Sequence, residues 1–114
     1  MISPNFERAE FACKCNCGFD TVDTELLAML ERIRERFGSP VQITSGCRCP
    51  SHNKAVGGAD KSQHMYGRAA DIKVKGYSPY EVADFFNSEW PDEYGMKPYS
   101  SWVHVDSRNE KWRG

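Results

Sequence analysis

One stretch of the chain repeats apolar residues at the spacing of an α-helix. Five apolar side chains recur three or four positions apart and two more widen the stripe: Val22, Leu26, Leu30, Ile33 and Phe37, with Leu27 and Met29. This period places them on one face of a helix, which must be buried against another part of the chain. Gly38 and Pro40 follow directly and form a helix stop signal. The pattern predicts a first helix over residues 23–37.

A second helix and three short strands are predicted further along the chain. Ser78 and Glu81 have the spacing of a capping box, with Pro79 at the first helical position, so a helix should run from there to about Asn87. Residues 41–44, 70–74 and 102–106 are strand candidates, the first because it alternates and is rich in β-formers. Two helices and at least three strands predict an α+β domain.

Length and composition favour one globular domain. The chain has 114 residues, of which 39% are hydrophobic and 27% charged, and residues 1–114 contain no visible linker or repeat. Residues 1–20 are expected to be an irregular, cysteine-containing segment. The net charge of -1 gives no electrostatic reason to expect a nucleic-acid partner. No apolar run is long enough to predict a membrane span.

Two segments carry residues that can bind a metal. Residues 62–71 read SQHMYGRAAD and contain His64 and Asp71, while residues 102–106 read WVHVD and contain His104. Two imidazoles and one carboxylate suit zinc and leave a fourth position open for water, as a catalytic zinc requires. Gly67 permits a tight turn between His64 and Asp71. In a strand over residues 102–106, His104 and Asp106 share one face.

The same segments resemble a known family. Residues 62–71 match the S-x-H-x-x-G-x-A-x-D pattern of the zinc D-Ala-D-Ala carboxypeptidase family, which also holds vancomycin-resistance D,D-dipeptidases and phage L-alanyl-D-glutamate endopeptidases. Residues 43–50, continuing through 52–53 and 56–59, resemble the segment that leads to this motif, and residues 104–106 resemble the family's last metal-ligand strand. The resemblance extends from about Phe11 to Trp112. It implies an antiparallel sheet flanked by two main helices, similar to hedgehog and D-Ala-D-Ala peptidase domains.

The resemblance implies a set of site residues. His64, Asp71 and His104 would bind a catalytic Zn²⁺, and Arg48 would face the substrate or the oxyanion that develops on the scissile carbonyl. The alternative for Arg48 is a salt bridge that shapes its loop. Ser62 would contact substrate or bond to the backbone of a turn, and Gln63 would lie at the rim of the site. The aromatic residues expected to line the cleft, unless they belong to the core, are Trp102, Tyr66 and Tyr99.

The general base is not assigned by the resemblance. Several family members have Glu three residues before the last histidine ligand, where this chain has Ser101, which cannot take a proton from water. Asp106 is the first candidate, because a carboxylate on the face of His104 could act as the base. The alternative is that Asp106 only orients His104. Tyr99 is a weaker candidate for the base.

Five cysteines form two clusters, with Cys13, Cys15 and Cys17 in the first and Cys47 and Cys49 in the second. An odd number argues against a fully paired disulfide framework. If the clusters meet in space, they could hold a second, structural zinc that positions Arg48. The one-residue spacing departs from common zinc motifs, so disulfides and reduced thiols remain alternatives.

The sequence therefore predicts a monomeric zinc peptidase that hydrolyses peptide bonds in the peptidoglycan stem peptide, as a carboxypeptidase or an endopeptidase. The first residues lack the pattern of a secretory signal, so we expect synthesis in the cytoplasm and action on the cell wall after release or as part of a phage particle. The rival interpretation is a catalytically silent zinc-fold module that binds cell wall or a protein. A cysteine-based zinc module for nucleic acid is disfavoured by the chain's charge.

Overall fold

Three helices and one four-stranded sheet form the framework of the described part of the chain. A computed structural model describes residues 2–59 and 61–114. The helices are α1 (Thr24–Phe37), α2 (Pro50–Ala55) and α3 (Pro79–Glu89), and the strands are β1 (Val41–Ser45), β2 (Ala69–Val74), β3 (Gly95–Pro98) and β4 (Val103–Asp106). Single 3₁₀ turns lie at Arg8–Phe11 and Gln63–Tyr66. No helix within the described ranges has both the length and the apolar character to cross a bilayer.

Helix α1 confirms the first predicted helix. The carboxylate of Asp23 accepts a hydrogen bond from the backbone N–H of Leu26 and caps the N-terminus, and Gly38 ends the helix in the left-handed conformation at φ 60°. The predicted stripe is the buried face, which consists of Leu26, Met29, Leu30, Ile33 and Phe37. Helix α3 begins with the predicted capping box, in which Ser78 and Glu81 bond to each other's backbone N–H groups.

The sheet is antiparallel throughout and has the strand order β1-β2-β4-β3. Its core-facing residues in the two central strands include Ala70 and Ile72 of β2 and Val103 and Val105 of β4, which pack with the buried faces of α1 and α3. Because side chains alternate along a strand, the residues between them point to the opposite face of the sheet. The α+β fold with an antiparallel sheet is confirmed, and the polar face of β2 and β4 is free to carry a site.

One α-helix and one strand of the described chain were not predicted from the sequence. Helix α2 has no apolar stripe; its only buried residue is Asn53, and it begins at Pro50 after Cys49. Strand β3 contains glycine and proline, which are typical of turns, and it forms by pairing with β4. Within the irregular N-terminal segment, Phe6 and Phe11 are buried in the core, which anchors this segment to the rest of the domain.

Candidate metal centre

The register of the two central strands brings two of the predicted ligands together. Asp71 of β2 lies directly opposite His104 of β4. Oδ1 of Asp71 is 3.2 Å from Nδ1 of His104. Since both side chains point away from the apolar core, they meet on the polar face of the sheet.

His64 reaches the same point from the 3₁₀ turn at Gln63–Tyr66. The hydroxyl of Ser62 caps this turn by accepting a hydrogen bond from the N–H of His64, and Gly67 ends it in the left-handed conformation at φ 68°. The side chain of His64 is 3% exposed. Its Nδ1 is 2.6 Å from the carbonyl oxygen of Gly46, and its Nε2 is 3.3 Å from Oδ1 of Asp71. The turn predicted at Gly67 therefore directs His64 towards Asp71.

These three side chains fit a zinc ion. One ligand atom from each of His64, Asp71 and His104 lies within 4.8 Å of the other two. Each imidazole has its other nitrogen next to an acceptor, the Gly46 carbonyl for His64 and the Asp106 carboxylate for His104. Such partners fix the tautomer and the ring orientation of histidine ligands. Two nitrogens and one oxygen are the donor set of a zinc site that keeps an open position.

Electrostatic interactions at this centre favour the charged forms of Asp71, His104 and Asp106. Burial would raise the pKa of Asp71, but hydrogen bonds to His104 and His64 hold it well below its usual range. Burial would lower the pKa of His104, but the carboxylates of Asp106 and Asp71 raise it. Burial likewise opposes ionisation of Asp106, yet His104 and Arg108 lower its pKa to about 2. The carboxylate of Asp71 is thus ready to accept a cation.

Arg48 contacts the second oxygen of Asp71. Its Nη2 lies 3.2 Å from Oδ2 of Asp71, its Nη1 donates to Oδ1 of Asn53 and its Nε donates to the hydroxyl of Ser45. The salt bridge anticipated as the alternative role of Arg48 is present. Because Oδ1 of Asp71 remains turned to the histidines, this pair orients the carboxylate towards them, and Arg48 still lines the cleft.

Asp106 is fully buried and both of its oxygens have partners. Its Oδ2 lies 2.7 Å from Nε2 of His104, and the guanidinium of Arg108 donates to both oxygens at 2.8 Å. These contacts favour the orienting role of Asp106 over the role of general base. Ser101 lies away from the centre and lines a separate groove with Val103 and Pro40.

A cleft of about 580 Å³ opens over the three predicted ligands. Ser62 and Gln63 line it as predicted, as do Trp102 and Tyr99, whose rings stack with centroids 4.5 Å apart. The sequence interpretation missed three cations and one aromatic residue of the cleft: Lys61, Lys97, Arg108 and Trp112. Lys97 pairs with His104 in the register of β3, so its role depends on a strand that the sequence did not indicate.

One predicted cleft residue lies outside it, because Tyr66 does not line the cleft and is exposed. The cysteines come together in part. Cys13, Cys15, Cys17 and Cys49 form a second group of potential ligands. Cys47 does not belong to this group; its thiol is buried and donates to the carbonyl oxygens of Phe11 and Phe19.

Comparison with known proteins identifies the family. The family model for Peptidase M15 matches residues 4–106. The zinc D-Ala-D-Ala carboxypeptidase of Streptomyces albus G is 43% identical over 44 residues, which make up 38% of this chain and 17% of that protein. The chain thus matches less than a fifth of that relative's length. Because the family model matches far more than half of the chain, the protein belongs to the peptidase M15 family.

Proposed function

We propose that this chain is a zinc peptidase that hydrolyses peptide bonds in the stem peptide of bacterial peptidoglycan. The observation that carries the proposal is the convergence of His64, Asp71 and His104 at the floor of an open cleft. Membership of the M15 family supports it, and so does the likeness to a protein named as a zinc D-Ala-D-Ala carboxypeptidase. Action on the cell wall after release from the cytoplasm, or from a phage particle, belongs to the same proposal.

The residues of the cleft have distinct tasks in this chemistry. A zinc ion held by His64, Asp71 and His104 would acidify a water and polarise the scissile carbonyl. Asp106 holds His104 with Nδ1 turned to Asp71. The guanidinium of Arg48 is fixed by three partners and supplies a positive charge where the carbonyl oxygen becomes negative. Removing such a donor typically lowers kcat by about 10² to 10³.

The charge of the cleft fits an acidic peptide. Lys61, Lys97 and Arg108 line it together with Arg48, whereas Asp71 is the only carboxylate among the described lining residues. Stem peptides carry free carboxylates at their C-terminus and on acidic residues, which such cations would attract. We propose that these cations orient the substrate. Cleavage of a terminal D-Ala would release free D-Ala, whereas cleavage inside the stem would expose new α-amino groups.

A second candidate function is a zinc-fold module that binds cell wall without cutting it. One observation favours this candidate: apart from Asp71, no carboxylate of the described residues lines the cleft, so among them only Tyr99, the weaker candidate, remains as a general base there. Asp106 is buried with both oxygens bonded. Both candidate functions predict a bound zinc ion and binding to the cell wall. Only the peptidase predicts that peptide bonds of the wall are hydrolysed.

The test uses purified peptidoglycan from several wall types and zinc-loaded protein. Wild type should reduce turbidity and release D-Ala or new α-amino groups, and His64→Ala should lose both activity and the metal at this centre. His52→Ala is the matched control, because His52 lies in α2 outside the cleft. Wild type that is fully loaded and sediments with the wall, yet releases no product from any wall type, would establish the binding module and refute the peptidase.

A further inference from the structure

Four cysteine thiols meet at a second point that the peptidase chemistry does not use. The Sγ atoms of Cys13, Cys15, Cys17 and Cys49 all lie within 4.8 Å of one another. Sγ of Cys15 is 3.4 Å from Sγ of Cys13 and also 3.4 Å from Sγ of Cys49. Thirty-one residues that include α1 and β1 separate Cys17 from Cys49 in the sequence, so the fold itself creates this cluster.

The local backbone explains how cysteines at one-residue spacing can converge. Asn16 adopts a left-handed conformation at φ 63°, and its N–H donates to the carbonyl of Cys13. Gly18 follows at φ 89°, and the N–H of Cys13 bonds to the carbonyl of Phe19 at 2.7 Å. In an extended strand, alternate side chains would stay about 7 Å apart. The turn folds them towards a common centre instead, so the unusual spacing is compatible with one ion.

We propose that Cys13, Cys15, Cys17 and Cys49 bind one zinc ion in a closed, structural site, separate from the centre of His64, Asp71 and His104. Tetrahedral zinc with Zn–S bonds of about 2.3 Å sets sulfurs about 3.8 Å apart. That separation lies between the observed contacts of 3.4 Å and the upper bound of 4.8 Å. Four thiolates would fill the coordination sphere and leave no position for substrate.

Backbone amides aim at two of these sulfurs. The N–H of Cys49 donates to Sγ of Cys13, and the N–H of His52 donates to Sγ of Cys49, both at 3.4 Å. Such bonds stabilise thiolate ligands and fix their orientation. A disulfide would need one preferred pair with sulfurs about 2.0 Å apart. Cys15 is equally close to Cys13 and Cys49, so the arrangement favours a shared ion over a pair.

Cys47 serves as an internal comparison. It lies two residues from Cys49, yet its Sγ donates to the carbonyls of Phe11 and Phe19 at 3.0 and 2.9 Å. A thiol has a single S–H proton, so these two carbonyl oxygens share it, and Cys47 lies outside the group formed by the other four thiols. The site therefore uses four of the five cysteines, and Cys47→Ser replaces the thiol donor at the remaining position with a hydroxyl donor.

The site would hold the loop that carries Arg48. Cys49 follows Arg48 directly and caps α2, so an ion on Cys49 ties this point of the chain to the segment of Cys13, Cys15 and Cys17. The backbone N–H of Arg48 donates a hydrogen bond to the carbonyl oxygen of His64, which ties the same loop to the turn that carries His64. The ion would thus fix the backbone that sets the position of the guanidinium in the cleft.

The test is the zinc content of the full chain, purified from zinc-supplemented expression without chelators. Wild type should contain two zinc ions per chain. Cys15→Ser and Cys17→Ser, which change exposed side chains, should each contain one, and His64→Ala should also contain one. Cys47→Ser should contain two. After exchange with cobalt, His64→Ala should keep an intense thiolate-to-metal charge-transfer band that Cys15→Ser lacks, which separates this site from the proposed peptidase centre.

The coordination of the ion gives a readout that leaves all five cysteines in place. X-ray absorption of zinc-loaded His64→Ala should show a single shell of four sulfurs. The proposal is overturned if wild type and Cys15→Ser bind the same amount of zinc, or if Cys47→Ser loses as much zinc as Cys15→Ser. It is also overturned if the intact mass of the protein, measured without reductant, is lower by the two hydrogens that are lost when a disulfide forms. None of these outcomes depends on whether the chain cuts peptidoglycan.

Discussion

Nε2 of His104 lies 2.7 Å from Oδ2 of Asp106, and this contact determines which nitrogen of the ring is presented to Asp71. When Nε2 carries the proton and donates a hydrogen bond to Asp106, the lone pair of Nδ1 points to the centre where Asp71 and His64 meet. Arg108 holds Asp106 in place through both oxygens. The orientation of one predicted ligand thus depends on two residues that lie behind it.

Replacing Asp106 with asparagine tests this relationship. Asp106→Asn keeps the shape of the side chain but removes the negative charge beside His104. We expect the affinity for zinc at the histidine centre to fall about 10-fold, the lower end of the effect of losing such a partner. Competition with a chromophoric chelator measures this affinity.

Asp84→Asn, on the exposed face of α3, is the matched control and should bind zinc like wild type. The general-base role of Asp106 predicts a different outcome: zinc affinity would be unchanged while hydrolysis would be lost. That result would contradict the orienting role.

We predict that replacing Gly67 lowers the stability of the fold more than replacing a glycine with open space around it. Gly67→Ala places a side chain at φ 68° and brings its Cβ within 2.6 Å of the carbonyl oxygen of Thr21. We expect it to lower the free energy of unfolding by roughly 3 kcal/mol. Gly76→Ala also places a side chain at a positive φ, 85°, but its Cβ would have no atom within 4 Å, so the loss should be only about 1 to 2 kcal/mol. Urea denaturation measures both values; equal losses would show that the contact with Thr21 is unimportant.

Arg48→Lys tests the fixed guanidinium. A lysine cannot reach Asp71, Asn53 and Ser45 at once, as Arg48 does. We expect the zinc content to stay at the wild-type value and kcat on peptidoglycan fragments to fall about 10²-fold. Arg36→Lys, on the exposed face of α1, is the control. Loss of zinc in Arg48→Lys would indicate instead that the arginine acts through Asp71.

Glu31 attaches the N-terminal segment to α1 and should make the free energy of unfolding of the protein depend on pH. Its carboxylate accepts hydrogen bonds from the side chains of Ser3 and Asn5 and from the backbone N–H of Asn5. Burial opposes ionisation, but these bonds lower the pKa of Glu31 below its usual value. A lowered pKa stabilises the folded state above the ordinary pKa of glutamate, and this stabilisation is lost as the pH falls through the folded pKa.

Glu31→Gln should therefore reduce the free energy of unfolding by about 1 kcal/mol at neutral pH. The difference from wild type should vanish in acid, below the folded pKa of Glu31. Glu35→Gln is the control, since its side chain is 80% exposed. A deficit of Glu31→Gln that persists at the lowest pH would mean that the charge of Glu31 is not its cause.

Local patterns were sufficient for the elements with strong periodicity and clear caps. The apolar stripe and Gly38 predicted α1 to within one residue, and the capping box at Ser78 predicted the start of α3. The motif over residues 62–71 predicted the family, which the match to Peptidase M15 confirms. The assignments of His64, Asp71 and His104 as metal ligands remain predictions, and the structure brings all three together.

Other features depend on contacts between distant segments, which no local pattern encodes. Strand β3 has poor strand propensity and exists because β4 pairs with it, and α2 has no apolar face. The partners of Asp106 and the separation of Cys47 from the other cysteines also follow from such contacts.

By itself, the sequence determined the main helices and the α+β class, because apolar period and caps act over a few residues. Its resemblance to a known family predicted three residues that would hold zinc. Only the tertiary structure decided what surrounds those residues. The register of β2 against β4 sets Asp71 beside His104. Asp106 is buried, and both of its oxygens are engaged by His104 and Arg108. The left-handed turn at Asn16 brings the thiols together. These are packing outcomes of the whole chain, in which the alignment of one strand on another fixes which polar groups can meet.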